Sequence, residues 1–164
     1  MKILGIDPGL NISGYGVIEA DRNAVIEAGI LKIKKRKHVE HRLEDLYDSL
    51  IDVIESLSPD CMAIEDLYSH YERPKTAIIM GHARGVILLA AKKCSIPVTT
   101  YAATKIKSVM TGNGRAPKEQ MQLSVCRHLG LEKIPDPPDV ADALAIALCH
   151  DHYLKLDQKL QIAT

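Results

Sequence analysis

Ile3-Leu4-Gly5-Ile6-Asp7-Pro8-Gly9 opens the chain with a short apolar run that stops at a carboxylate and a Pro-Gly pair. A run bounded by such breakers reads as a buried strand ending in a turn, with Asp7 at its exit. Two further strands follow over residues 14–19 and 25–33, and the polar Asp21-Arg22-Asn23 between them suits a hairpin turn. Three strands joined by tight links form an antiparallel meander. The elements laid beside it decide the fold.

The hydrophobic period then changes. Val39, Leu43, Leu46, Leu50, Ile54 and Leu57 recur at three- and four-residue steps, the pattern of an amphipathic helix, which Ser58-Pro59 ends. Cys61-Met62-Ala63-Ile64 is a compact apolar run and reads as a buried strand with Glu65 at its end. A polar loop over residues 69–75 leads to a helix over 76–93, and a strand follows over 96–100. Short helices over 102–110 and 117–128 are parted by Thr111-Gly112-Asn113-Gly114. Pro135-Asp136-Pro137-Pro138 cannot lie inside a helix and delivers the chain to a last one over 139–154. This order implies one α/β domain over residues 1–154, a mixed five-stranded sheet flanked by helices. Residues 155–164 read as a polar C-terminal tail.

A length of 164 residues suits one ordinary domain, and 46% apolar with 26% charged residues argues against disorder. The formal net charge of zero announces no polyanionic partner, although phosphate binding depends on where cations sit rather than on their sum. Cys61, Cys94, Cys126 and Cys149 are far apart and form no Cys-x-x-Cys pair, so they read as reduced thiols in a cytoplasmic protein. The Asp7-Pro8-Gly9 break precludes a signal-like apolar stretch at the start, and no segment approaches the ~18 apolar residues needed to span a bilayer.

Four acids stand out by position. Asp7 and Glu65 end the first and fourth strands, so they emerge side by side if those strands are neighbours. Asp139 and Asp142 are three residues apart at the start of the last helix and project from one face. Singly, each has an ordinary reading: Asp7 as a turn residue, Glu65 as a solvated strand end, Asp139 as a helix cap. Asp142 fits this least, because Ala-Leu-Ala-Ile-Ala-Leu follows it and an acid on such a rim is costly unless paired, protonated or metal-bound. Together the four would raise one another's pKa values unless a cation neutralised them. Oxygen-only ligands favour magnesium, with manganese as a substitute, and two such ions suit phosphodiester hydrolysis without a covalent nucleophile.

Gly5-Ile6-Asp7-Pro8-Gly9, Gly14-Tyr15-Gly16, Ala63-Ile64-Glu65 and the block Asp139-Val140-Ala141-Asp142-Ala143-Leu144-Ala145-Ile146-Ala147 resemble the RuvC family of Holliday-junction resolvases, in order and spacing. His82-Ala83-Arg84-Gly85-Val86 and Tyr101-Ala102-Ala103 match its intervening blocks, and the resemblance runs to about His152. It implies a ribonuclease-H-like fold, a two-fold homodimer and paired, magnesium-dependent nicks across a four-way DNA junction, in homologous recombination and DNA repair. It also implies a branch-migration motor as a partner. The family's metal-binding acids carry over onto Asp7, Glu65, Asp139 and Asp142, and some relatives place a histidine where Asp139 stands. Its two lysines near the site map to Lys107 and Lys118, with Lys118 the one to meet the scissile phosphate. Where the family often has a stacking phenylalanine after the glutamate, this chain has Tyr68.

Five of the six residues 32–37 are basic, and two readings stand for them: phosphate contacts, or a solvated strand end. Arg73, Lys75, Lys105, Lys107, Arg115 and Lys118 are further candidate DNA contacts. Gly81 and Gly85 share one helix face, which is either a dimer seam or a close contact with the chain's own sheet. His150 and His152, at the carboxyl end of the last helix, read as surface residues. Three rivals remain: a sugar-kinase or actin-like ATPase, which needs two such lobes; a junction-binding module without catalysis; and a scaffold that binds no metal.

Overall fold

The computed structural model describes residues 1–35, 37–67 and 74–162 of the chain. β1 (Lys2–Asp7), β2 (Gly14–Glu19) and β3 (Ala24–Ile30) form the expected meander, each antiparallel to the next. α1 (Val39–Leu57) leads to β4 (Cys61–Glu65), and α2 (Pro74–Lys93) leads to β5 (Val98–Tyr101). α3 (Ala103–Thr111), α4 (Lys118–Leu129) and α5 (Pro138–Ile162) complete the chain. Among the described residues the strands make one mixed sheet in the order β3-β2-β1-β4-β5, with β4 parallel to both β1 and β5.

Alternation along the strands divides the apolar residues between two faces. Leu4, Ile6, Val17, Met62 and Ile64 join the core built with α1 and α2, through Leu46, Leu50, Ile54, Ala83 and Ile87. Ile3, Ile18, Cys61 and Ala63 join the opposite core with Ile106, Met121, Leu144 and Ile146 of α3, α4 and α5. From Ala143 to Cys149, α5 is buried on all sides, as a helix must be when a sheet lies under it and α3 and α4 lie over it.

Two glycines make that burial possible. A Cβ on Gly5 would stand 2.1 Å from the carbonyl oxygen of Ala143, and one on Gly14 would stand 2.0 Å from that of Asp139. Helix backbone therefore lies directly on strand backbone, and any side chain at these positions would push α5 off the sheet.

Several boundaries differ from the sequence reading. β3 stops at Ile30 rather than Ile33 because its backbone donors change partner: Leu31 bonds the Ser13 carbonyl, Lys32 bonds Ser49 Oγ and Lys34 bonds Asp45 Oδ2. β5 starts at Val98, since Cys94 and Ile96 still bond back to α2. Pro138 takes the first position of α5, so Asp139 lies inside its first turn instead of capping it. The tail expected over residues 155–164 is helical through Ile162. Lys155 secures those turns by binding Asp151 at 2.7 Å, the Ala20 carbonyl at 3.1 Å and Asn23 Oδ1 at 3.2 Å.

This extension also corrects the reading of His150. It lies mid-helix and buried, with Nδ1 2.8 Å from the Tyr101 hydroxyl, and burial holds its pKa below the usual value against the opposing charge of Asp151. His152 is exposed, as expected. All four cysteines are free; Cys61 and Cys149 are buried, and burial pushes both thiols up to about 11. Gly85 is exposed with nothing near its Cβ position, so it does not serve close packing on the sheet. No helix among the described residues is long and apolar enough to cross a membrane.

Gly5→Ala is expected to destabilise the chain by about 3 kcal/mol, the upper range for forcing extra atoms into a packed core. Urea unfolding with far-ultraviolet circular dichroism measures this, and Gly85→Ala should cost nothing comparable in the same experiment.

Candidate active site

The parity of the strands places the first two acids. In β1, Ile3, Gly5 and Asp7 alternate onto the α5 side, and in β4, Cys61, Ala63 and Glu65 do the same. Ile6 pairs with Ile64, so Asp7 and Glu65 leave adjacent parallel strands one residue later, at the same edge and on the same face. The contact at Gly14 brings the first turn of α5 over that edge, and Asp139 and Asp142 come with it. Glu65 and Asp142 line a cavity of about 240 Å³ with Lys107 and Lys118, floored by Ile106, Met121 and Ala145. Asp7 and Asp139 line an adjoining groove.

The electrostatics report the crowding. Burial lifts the Asp7 carboxyl from 3.8 to about 7, and the charges of Asp142, Glu65 and Asp139 add to the rise, in that order, against Lys118. Glu65 is raised by burial and then by Asp142, with Lys107 opposing. Lys118 Nζ stands 2.9 Å from Asp142 Oδ2, and that hydrogen bond holds the ammonium pKa above its usual value. Among the described residues no three carboxylate, thiol or imidazole side chains converge closely enough to cage a metal ion. Asp142 is bonded to the Lys118 ammonium, and Lys107 lines the same cavity.

The remaining candidates are dispersed. Lys105 lies with its Nζ 4.1 Å from the Tyr153 ring centroid, a cation–π contact at the α3–α5 surface and away from the cavity lining. Lys75 is exposed in the first turn of α2, and Arg115 is exposed just before α4. Tyr68 and Arg73 lie outside the described residues.

Two supporting arginines were not singled out from the sequence. Arg84 Nη1 donates to the Glu65 carbonyl at 2.6 Å and Nη2 donates to Thr100 Oγ1 at 3.0 Å, clamping the ends of β4 and β5 together. Arg42 donates to the Leu10 carbonyl and to Asn11 Oδ1, bracing the loop that follows Asp7. Arginine in a helical segment reads as a solvated charge unless the loop it reaches is known, so no local signal marked either one. Arg84 does stand inside the block His82-Ala83-Arg84-Gly85-Val86.

This sheet order, with helices on both faces and acids gathered at one end of the central strands, defines a ribonuclease-H-like α/β fold. The family model described as crossover junction endodeoxyribonuclease RuvC matches residues 3–150, and the chain belongs to that family. The RuvC endodeoxyribonuclease of Rhodopirellula baltica is 52% identical over 163 residues, covering 96% of this chain and 91% of the relative. That of Desulforamulus reducens is 47% identical over 152 residues, covering 92% and 93%. A solved structure of Thermus thermophilus RuvC in complex with its Holliday junction substrate superposes with a TM-score of 0.87 at 31% identity, covering 96% of each chain.

The raised Asp7 gives a pH signature. A carboxyl group whose folded pKa exceeds its unfolded value binds protons more tightly when folded. Stability is therefore lost as pH rises from about 4 through about 7. In chelator, Asp7→Asn removes this loss, so at pH 8 the variant should be more stable than the unsubstituted protein by up to about 4 kcal/mol and should melt at a higher temperature. The difference should vanish near pH 4. Thermal denaturation across that range is the check, and a variant less stable at pH 8 would contradict it.

Proposed function

We propose that the protein is a metal-dependent endonuclease that resolves four-way DNA junctions by paired, symmetric nicks, acting in recombination and repair. The observation that carries this reading is the gathering of Asp7, Glu65, Asp139 and Asp142 at one end of the sheet, beside Lys118. Membership of the RuvC family and the likeness to a junction-bound relative support the substrate.

The donor set fits a hard divalent cation, being carboxylate oxygen only; burial is the main cause of the lift of Asp7 to about 7, and the neighbouring carboxylate charges that add to it are what such a cation would relieve. Two magnesium ions on these four acids, or manganese in their place, would supply an activated water and stabilise the phosphate and its departing oxygen. Arg84 and the Gly14 contact hold the backbone that presents Glu65 and Asp139. Lys118, now held by Asp142, is placed to meet a phosphate oxygen or its developing charge once that carboxylate is otherwise engaged. Lys107 lines the same cavity, while Lys75, Arg115 and Lys105 offer outlying charge for backbone phosphates.

A two-fold homodimer matches the approximate symmetry of a four-way junction. The outer face of α2 supports it. Ile78 is 58% and Leu89 is 52% exposed, Leu88 lies beside Leu89, and Gly85 between them has open space above it. An apolar helix face with a glycine at its centre suits close approach of a second helix.

With magnesium, the unsubstituted protein should cut a synthetic four-way junction into ligatable, symmetric nicks and leave linear duplex whole. Asp7→Asn should lose cleavage by at least about a thousandfold while retaining junction binding, as expected when preorganised charge is removed. Binding without cleavage in magnesium or manganese would mark a non-catalytic junction-binding module instead. Gly85→Arg should shift sedimentation from dimer to monomer; an unchanged dimer would place the seam elsewhere.

A further inference from the structure

Residues 10–12 form a ridge with a different surface on each flank. On one side, the groove lined by Leu10, Asn11 and Ile12 reaches Asp7 and Asp139. On the other side the same segment borders a notch of about 420 Å³, floored by Leu10, Ile12 and Ile33 and rimmed by Lys34, Lys35 and Arg42. The strap bearing the two lysines is fixed to α1, through Lys32 N–H to Ser49 Oγ at 2.9 Å and Lys34 N–H to Asp45 Oδ2 at 3.1 Å.

Among the described residues the rim's side-chain charges have no ion-pair partner, although the Asp45 carboxylate stands at the strap and accepts from the Lys34 N–H. Arg22, Arg84, Lys118 and Lys155 are all paired with acids, whereas the side-chain ends of Lys34, Lys35 and Arg42 take no acidic partner among the described residues. Arg42 spends Nη2 on the Leu10 carbonyl and Asn11 Oδ1. A guanidinium carries five N–H donors, so Nε and Nη1 remain for another acceptor. The loop that Arg42 braces is tied internally as well, since the buried Ser13 hydroxyl accepts from the Gly9 N–H and donates to the Gly9 carbonyl.

We infer that Lys34, Lys35 and Arg42 form a second phosphate site for the substrate strand, and that Arg42 is a positioning residue linking that site to the loop behind Asp7. This rests on the reading of the chain as a junction-cutting enzyme. A phosphate in the notch is held by two flexible ammonium groups and by the free edge of Arg42. The other edge of Arg42 keeps the ridge, and with it the exit of β1, in one geometry. Lysine at position 42 keeps the charge but cannot bond two acceptors in one plane while facing a phosphate.

The test measures junction binding in chelator across a salt series, and cleavage in magnesium, for three variants beside the unsubstituted protein. Lys34→Ala/Lys35→Ala should weaken binding about tenfold and flatten the slope of log affinity against log salt by about one, the value of one lost phosphate contact. Arg42→Lys should bind within about threefold of the unsubstituted protein and lose about tenfold in kcat, the penalty of a slightly misplaced catalytic loop. Asn11→Ala removes one of the two acceptors and should lose less; it carries the test if a melting curve shows Arg42→Lys to be unfolded. An unchanged salt slope in the lysine variant overturns the site. Unchanged kcat in the folded position-42 and position-11 variants overturns the link to Asp7. If the unsubstituted protein neither binds nor cuts the junction, the functional reading fails first and takes this one with it.

Discussion

Backbone against backbone is the contact on which the rest of this structure depends. α5 lies on β1 and β2 without intervening side chains at Gly5 and Gly14, and this closeness sets both the burial of the helix and the position of its first turn. A larger separation would leave Ala143 to Cys149 short of neighbours, because small side chains fill space only when the surfaces that hold them are near. It would also carry Asp139 and Asp142 away from Asp7 and Glu65. Packing and chemistry are thus served by the same few ångströms.

The four acids carry an electrostatic cost. Burial and mutual repulsion raise Asp7 to about 7, well above where an isolated aspartate titrates. The fold tolerates this because the acids sit at the ends of elements whose middles are thoroughly apolar: Ile3 to Ile6, Met62 to Ile64 and Ala143 to Cys149. Lys118 and Lys107 soften the repulsion without abolishing it. A site with all its charge already balanced would have little to offer a cation or a phosphate.

Much of this was legible in the chain itself. The strands announced themselves as apolar runs closed by Asp7-Pro8-Gly9 and by Glu65, and α1 by its three- and four-residue steps, because those signals are local. The four acids were legible as a set from their places at strand ends and on one helical turn. What escaped reading depended on distant partners. Residues 31–33 keep strand-like composition yet bond to Ser13 and α1. The end of α5 looked like a tail because its anchor, the loop at Ala20 and Asn23, lies more than a hundred residues earlier. His150 looked like a surface residue because its partner, Tyr101, lies at the end of β5, about fifty residues away in the chain. Arg42 and Arg84 carried no local mark, since both act on carbonyl groups of other elements.

Because β1 and β4 each carry their acid an even number of residues from the side chains that fill the α5 core, the length of these strands decides whether Asp7 and Glu65 share a face with Asp139 and Asp142. One residue inserted or deleted between Ile3 and Asp7, or between Cys61 and Glu65, would turn the carboxylate to the face covered by α1 and α2 while leaving the composition almost unchanged. Point substitutions in these strands can drift among apolar types, whereas a change of length cannot. Over evolutionary time, gains and losses of residues should therefore collect in the connections and spare the two short runs that lead to Asp7 and Glu65.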